Sequence, residues 1–196
     1  MAASQVWLVR HGETEWSAAG KHTGSTDLPL TERGREAARA VAPALHGHTF
    51  AAVLTSPLQR ARETCDLAGL GESATVVDDL HEWRYGDYEG LTTAEIRASE
   101  PGWTVWHDGC PGGESAADVG ARADRVVGRL RAIDGDVAVF AHGHFLRVLG
   151  ARWCGLAPAA GAVLALDTAT LCRLGWEREQ PVLRLWNAPT PMSVVR

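Results

Sequence analysis

The chain has 196 residues, of which 45% are hydrophobic and 22% charged, and its formal net charge is −5. These values are typical of one globular domain, and the absence of a cluster of Lys and Arg argues against nucleic-acid binding. No apolar run approaches the roughly 20 residues of a membrane helix, and no secretion signal precedes the first elements, so we expect a cytoplasmic protein without a membrane anchor. The four cysteines form no C-x-x-C pair, which argues against a disulfide scaffold and a thiolate metal site; they are Cys65, Cys110, Cys154 and Cys172.

The first third of the chain predicts two strands, each followed by a helix. Val6–Val9 and Ala51–Leu54 are continuous apolar runs, typical of parallel strands that are buried on both faces. Thr31 predicts the N-cap of a helix that reaches about Leu45, with a kink or an end at Pro43. The pair Ser56-Pro57, a capping hydroxyl followed by a proline, predicts the start of the second helix.

The rest of the chain continues the alternation of helices and strands. Ser115 and Asp118 form a predicted capping box that opens a long helix. The strand Val137–Phe140 leads to His142 and a helix through about Trp153. Three later strands are predicted at Val163–Leu166, Thr170–Leu174 and Val182–Trp186. We therefore expect an α/β fold over residues 1–196, a three-layer α/β/α sandwich around a mostly parallel sheet.

Charged and imidazole side chains follow three of the predicted strands. Arg10 and His11 end the first strand, Arg60 lies in the helix turn after the second, and His142 follows a later one. Ligands of open α/β sheets bind beyond the carboxyl ends of the strands. If these ends converge, they form a cationic pocket that faces helix N-termini, which suits an oxyanion such as phosphate.

The triplet Arg10-His11-Gly12 predicts a site for covalent phosphoryl transfer. A nearby cation disfavours protonation of His11, and a neutral imidazole is a nucleophile. Arg10 can hold phosphate oxygens in a bidentate fork, and Gly12 lets the backbone approach the ligand. On three residues alone, a histidine that merely caps the sheet edge is an equal alternative.

Four spaced motifs favour the phosphoryl-transfer interpretation. The chain contains "RHGETEW", "TSPLQRARETC", "LHEWRYGDYEG" and "VFAHGHFLR", in this order. With these motifs the sequence resembles the histidine phosphatase superfamily, which includes the cofactor-dependent phosphoglycerate mutases, from the first strand to about Arg147. The segments "KHTGSTDLPLT", "EWRYGDYEG", "WHDGCPGGES" and "FAHGHFLR" are similar to the branch that holds sedoheptulose-1,7-bisphosphatase and bacterial acid phosphatases.

The resemblance implies catalytic roles at five positions. His11 would carry the phosphoryl group, Arg10 and Arg60 would bind phosphate, and His142 would be the second histidine of the phosphate pocket. Glu82 would be the proton donor. The residues alone do not single out this carboxylate, because four other acidic residues lie nearby; they are Asp78, Asp79, Asp87 and Glu89.

Further binding residues are expected around this centre. Substrate or phosphate contacts are predicted for five residues, namely Thr14, Ser17, Thr23, Gly143 and His144, although His144 could equally be an exposed residue of the first helical turn. A cap-like insertion is expected around residues 78–113. Three tryptophans there, Trp83, Trp103 and Trp106, either wall the pocket or pack in the core. Arg84 stands where the branch leads us to expect a carboxylate, and it could hold a second anionic group.

The predicted function is hydrolysis of a small phosphate ester, such as a sugar phosphate, through phosphohistidine and without a metal or cofactor. A phosphoglycerate-type mutase is the alternative, but such mutases have longer insertions and a C-terminal tail over the site. The end of this chain, "APTPMSVVR", is expected to be too short for a lid. A phosphate-binding module without turnover and a metal-binding protein using His46 and His48 rank lower. The oligomeric state stays open, with a homodimer as one alternative.

Overall fold

A six-stranded mixed sheet forms the centre of the molecule. The structure is a computed structural model that describes residues 4–189. In chain order the strands are β1 (Val6–Arg10), β2 (Ala52–Thr55), β3 (Ala74–Val76), β4 (Val137–Ala141), β5 (Leu171–Glu177) and β6 (Gln180–Ala188). The spatial order is β3-β2-β4-β1-β5-β6, with parallel pairing from β3 to β1 and antiparallel pairing of β5 with β1 and β6. The predicted α/β fold is confirmed.

Helices cover both faces of the sheet. They are α1 (Glu15–Ala18), α2 (Glu32–Arg39), α3 (Ala42–Leu45), α4 (Gln59–Leu67), α5 (Thr93–Ser99), α6 (Val105–Asp108), α7 (Ala116–Arg131) and α8 (Gly143–Trp153), with 3-10 turns at Gly71–Ser73, Asp78–Leu80, Gly86–Tyr88 and Pro158–Val163. Side chains of β1 alternate between two cores: Val6 and Leu8 pack on the side of α7 and α8, and Trp7 and Val9 on the side of α2, α3 and α4. No helix within residues 4–189 has the length and apolar character needed to cross a membrane.

Two of the predicted helix starts are confirmed in atomic detail. The Thr31 hydroxyl accepts a hydrogen bond from the Gly34 amide at 3.0 Å. Ser115 and Asp118 form the reciprocal capping box at the start of α7. The predicted helix after Thr31 is shorter than expected, since α2 ends at Arg39 and Pro43 lies in the first turn of the separate helix α3.

The predicted capping role of Ser56 is wrong. Helix α4 begins at Gln59, and its N-cap residue, Leu58, has no capping side chain. The Gln59 amide instead donates to Asp27 Oδ1 at 2.8 Å, so a distant loop supplies the acceptor. The Ser56 hydroxyl oxygen accepts from the Leu58 amide at 3.3 Å and lies 2.7 Å from Nε2 of His142.

The predicted strand at Val163–Leu166 is also wrong. A 3-10 helix ends at Val163, which is 84% exposed, and the residues that follow it form a loop. Leu166, in this loop, is buried in the hydrophobic core. It also lines the cavity that is described below. A short apolar run has the same pattern whether it pairs in a sheet or packs as a loop. Strand β3 was missed because its three residues give almost no pattern.

Candidate active site

A cavity of about 200 Å³ opens beyond the carboxyl ends of β1 and β4. Seven of the residues predicted for the site line it: Arg10, His11, Ser17, Thr23, Glu82, Gly143 and His144. Parallel strands end at the same edge of a sheet, which explains why residues more than 130 positions apart meet there. The expected convergence of the first and later strands is therefore present.

His11 is held in a single tautomer by the backbone. Its Nδ1 lies 2.7 Å from the carbonyl oxygen of Gly12, and a carbonyl can only accept, so Nδ1 carries the proton. In the neutral ring the lone pair is then on Nε2. Burial lowers the pKa of His11 well below its ordinary value, and the charges of Arg60 and Arg10 lower it further. The ring is therefore a neutral base at physiological pH.

His142 follows β4 and Arg60 lies in the first turn of α4, after β2. Both side chains lie near His11. The His142 ring centroid lies 5.1 Å from that of His11, and its Nε2 is 2.7 Å from the Ser56 hydroxyl oxygen. Arg60 is fully buried and donates to the carbonyl oxygens of Thr23, Gly24 and Thr26. Neither side chain lines the open cavity. Arg60 thus braces the loop that forms one wall, in addition to placing its charge near His11.

Three buried side-chain nitrogens around His11 have no hydrogen-bond partner among residues 4–189. They are Nε of Arg10, Nε of Arg60 and Nδ1 of His142. A buried polar atom without a partner costs free energy, typically about 1–3 kcal/mol. The two arginine nitrogens can only donate, so their position near His11 indicates that the site is built to receive acceptor atoms from a ligand.

Glu82 is fixed at the start of helix α8. Its Oε1 accepts from the amides of Trp83 at 2.9 Å and Phe145 at 2.8 Å, and its Oε2 accepts from the His144 amide at 3.0 Å. The last two amides belong to the first turn of α8, where the helix dipole also attracts negative charge. The carboxylate therefore borders the cavity in a fixed orientation.

The acidic residues that compete with Glu82 in the sequence lie elsewhere. Asp79 pairs with Arg125 at the surface, and Glu89 accepts from the amides of Gly24 and Thr26. Among the described residues, Glu82 is the one carboxylate that lines the cavity. The cavity thus separates Glu82 from the four other acidic residues, a choice that the residues alone left open.

Thr14 and Ser17 form the capping box of the short helix α1. The Thr14 hydroxyl accepts from the Ser17 amide, and the Ser17 hydroxyl accepts from the Thr14 amide at 2.8 Å. Thr14 is fully buried and does not reach the cavity, whereas Ser17 lines it. Gly143 also borders the cavity, and a Cβ there would lie only 3.1 Å from Cζ and Nε of Arg10.

His144 faces the cavity within a group of aromatic rings. Its Nδ1 lies 2.6 Å from the Tyr85 hydroxyl, and its ring stacks parallel to that of His22. Burial lowers the pKa of His144 well below its ordinary value, and Arg147 lowers it further. Trp83 and Trp103 are buried in the core and do not line the cavity.

The sequence of this chain matches that of a known protein family. The sequence model of the histidine phosphatase superfamily (branch 1) matches residues 6–189. The chain belongs to the histidine phosphatase superfamily. The match reaches well beyond Arg147, where the resemblance of the motifs ended.

Individual members of the histidine phosphatase superfamily resemble most of the chain. An acid phosphatase of Mycobacterium tuberculosis is 43% identical, with 96% of each chain covered. The sedoheptulose 1,7-bisphosphatase of Saccharomyces cerevisiae is 40% identical over 76% of this chain and 67% of its own. A solved structure of an M. tuberculosis open reading frame has a TM-score of 0.91 and 41% identity, covering 95% of this chain and 98% of its own. Phosphoglycerate mutases also match, at 37–39% identity over 72% of the chain.

These relatives confirm the predicted branch and enzyme class. The protein is a phosphomonoesterase of the histidine phosphatase type, whose relatives act on small phosphorylated metabolites. Within residues 4–189, no three His, Cys, Asp or Glu side chains cluster in a way that could hold a metal ion.

Sequence reasoning missed two cations of this histidine phosphatase site. Lys21 and Arg147 line the cavity, together with His22 and Thr93. Lys21 lies in the segment "KHTGSTDLPLT", and Arg147 follows His142 by five positions, but neither spacing shows that the side chain turns into the cavity. Arg84, for which binding of a second anionic group was one alternative, is exposed and lies outside this cavity.

Proposed function

We propose that this protein hydrolyses a small phosphate ester by transferring the phosphoryl group first to Nε2 of His11 and then to water. The observation that carries the proposal is the hydrogen bond from His11 Nδ1 to the Gly12 carbonyl, which leaves the Nε2 lone pair available. Nε2 attacks phosphorus, and the bond between phosphorus and the ester oxygen breaks. The lowered pKa of His11, caused by burial and by Arg60 and Arg10, keeps this nucleophile unprotonated.

The unpartnered donors around His11 support phosphate as the ligand. Arg10 Nε and Arg60 Nε can donate to the non-bridging oxygens, and His142 Nδ1 can do so in the tautomer in which Nε2 accepts from the Ser56 hydroxyl. These bonds remove the cost of leaving the nitrogens unsatisfied. Charge-assisted hydrogen bonds of this kind also stabilise the negative charge of the transition state. No metal ion is required for that role.

Glu82 is proposed to move the protons of both steps. In its protonated form it gives its proton to the leaving alkoxide as the ester bond breaks. The resulting carboxylate then takes a proton from the water that attacks the phosphohistidine, and cleavage of the phosphorus–nitrogen bond releases phosphate. The three amides around Glu82 hold its oxygens in place without occupying every lone pair.

The two additional cations favour a substrate that carries a second anionic group. In the described part of the chain, no carboxylate lies within ion-pair distance of Lys21 or Arg147. Arg147 is held by the carbonyl oxygens of Gly161 and Ala162 and stacks on Trp106. Burial and the charge of Arg10 lower its pKa, so an anion would relieve an unfavourable arrangement. A phosphorylated sugar acid or a sugar bisphosphate fits this requirement.

A rapid-quench experiment with labelled phosphate ester tests the covalent step. Wild-type protein should form an acid-labile, base-stable adduct, and His11→Ala should form none. His46→Ala is the matched control, because His46 is an exposed histidine that does not line the cavity. An adduct in His11→Ala would refute the proposal. Interconversion of 2- and 3-phosphoglycerate without release of phosphate would instead show a mutase.

A pair of substrates tests the second anionic group. 3-Phosphoglycerate and glycerol 1-phosphate differ in one carboxylate, so their ratio of kcat/KM reports its recognition. We expect Lys21→Met or Arg147→Met to lower that ratio by about 10-fold or more, equivalent to roughly 1.4 kcal/mol. Arg84→Met is the control and should leave the ratio unchanged. If only Arg84→Met changes the ratio, the second anion is bound outside the cavity.

A further inference from the structure

An ion pair between a buried arginine and a partly buried glutamate lies next to the segment that carries Glu82. Arg122 of α7 is 4% exposed and binds the carboxylate of Glu114 with two parallel bonds, Nε to Oε1 at 3.1 Å and Nη2 to Oε2 at 3.0 Å. Neither residue lines the cavity. Removing charges from water is expensive, and an apolar pair of similar volume often stabilises a fold equally well. The pair is therefore poorly explained by stability alone.

The guanidinium of Arg122 also binds the backbone on the N-terminal side of Glu82. Nη1 of Arg122 donates to the carbonyl oxygens of Asp79 and His81, each at 2.8 Å, and Nη2 approaches the carbonyl of Glu82 at 3.4 Å. Its Cζ also lies 4.8 Å from the ring centroid of Phe145, whose amide binds Glu82 Oε1. Arg122 thus contacts both the segment that carries Glu82 and the residue that fixes its carboxylate.

Glu114 binds the residues on the C-terminal side of Glu82. Its Oε2 accepts from the Arg84 amide at 2.9 Å, its own amide donates to the Arg84 carbonyl at 2.8 Å, and its carbonyl accepts from Trp83 Nε1. The backbone on each side of Glu82 is therefore anchored to one ion pair. A rotation of this segment would move the carboxylate relative to the leaving group.

We propose that Arg122, held by Glu114, is a positioning residue for Glu82. It acts through the backbone of residues 79–84 and contacts no substrate atom. Displacement of a reacting group by about 1 Å can cost on the order of 100-fold in rate, so a small shift of this segment would weaken proton transfer to the leaving group. The inference rests on the proposed function, in particular on Glu82 as the proton donor.

The dependence on the leaving group distinguishes positioning from general destabilisation. We expect Arg122→Lys, which keeps the charge but cannot form the fork, to lower kcat/KM about 10- to 100-fold on a sugar phosphate. On nitrophenyl phosphate, whose leaving group needs little protonation, the loss should be at least several-fold smaller. Arg125→Lys is the matched control, because Arg125 lies on the same helix and binds the Asp79 carboxylate from the surface. Arg125→Lys should lower kcat/KM only slightly, and by the same factor on both substrates.

A double variant completes the test. In the Glu82→Gln background, Arg122→Lys should cause almost no further loss on the sugar phosphate, because the proton donor is already absent. Additive losses, or equal losses on both substrates, would overturn the proposal. If Arg122→Lys does not fold, Glu114→Gln gives the same comparison with the shape of the side chain retained. If Glu82→Gln itself shows no dependence on the leaving group, the proposed function fails and not only the role of Arg122.

Discussion

Replacement of Glu82 by glutamine should affect stability and activity by separate, calculable amounts. Oε1 of Glu82 accepts from Trp83 and Phe145, and Oε2 accepts from His144. The single carbonyl oxygen of glutamine can keep the two bonds of Oε1. Its amide nitrogen would then face the His144 amide, donor against donor. Loss of one bond to a charged group, with a buried donor left unpaired, costs about 1.5–3 kcal/mol.

Glu89 provides a matched control for this loss of stability. Its two bonds from the described backbone, from the amides of Gly24 and Thr26, both go to Oε1. Glutamine can keep both, so Glu89→Gln should cost less than about 1 kcal/mol. Because 1 kcal/mol shifts the melting temperature of a domain of this size by roughly 2–4 °C, Glu82→Gln should lower Tm by about 3–12 °C. Thermal unfolding followed by circular dichroism measures both variants.

The loss of activity should depend on the substrate. General acid catalysis is worth about 10²–10⁴ in rate, so kcat/KM of Glu82→Gln on a sugar phosphate should fall by that factor. On nitrophenyl phosphate, which has an acidic leaving group, the loss should be small. The variant should also accumulate phosphohistidine in a burst, because activation of water is impaired as well. Equal losses on both substrates without a burst would show that Glu82 only holds the start of α8.

Three other outcomes follow from the site. Arg60→Lys should lower kcat/KM strongly, because lysine cannot reach the three loop carbonyls and the phosphate at once; near-normal kinetics would remove Arg60 from the site. Activity should survive a chelator, since arginines and histidines can balance the phosphate charge, and a large reversible loss with EDTA would contradict this. Burial lowers the pKa values of His11, His142 and His144, so the unfolded chain binds more protons than the folded one. The free energy of unfolding should therefore be highest above the unfolded pKa of about 6.5 and should decrease as the pH falls below it. Denaturant unfolding at several pH values measures this dependence. Higher stability in mild acid would refute the lowered pKa values of these histidines.

The strand ends illustrate how much of the site the sequence could predict. Continuous apolar runs identified β1, β2 and β4, and parallel strands must end at one edge, so Arg10, His11 and the region of His142 were expected together. Capping at Thr31 and Ser115 was also predictable, because a cap depends on residues only three positions apart. Family membership followed from four motifs in order.

Other predictions failed or remained open because their outcome depends on residues far apart in the chain. Ser56 has the local pattern of a helix cap, yet its hydroxyl contacts His142, 86 positions away. The apolar run at Val163–Leu166 has the pattern of a strand, yet it pairs with no strand of the sheet among the described residues. Val163 ends a 3-10 helix, and Leu166 packs in the hydrophobic core. Short local patterns cannot rank such competing contacts, since the free energy of each depends on what the rest of the fold brings near.

The sequence by itself determined the alternation of strands and helices, the position of His11 beside Arg10 at the end of a strand, and the family, because each of these is encoded in adjacent residues or in ordered motifs. Only the tertiary structure decided which carboxylate borders the cavity, that Lys21 and Arg147 turn into it, and that Arg122 and Glu114 hold the segment of Glu82. The physical reason is that a side chain's direction and its partners are set by the packing of elements that are distant in the chain, and the spacing of residue types does not record that packing.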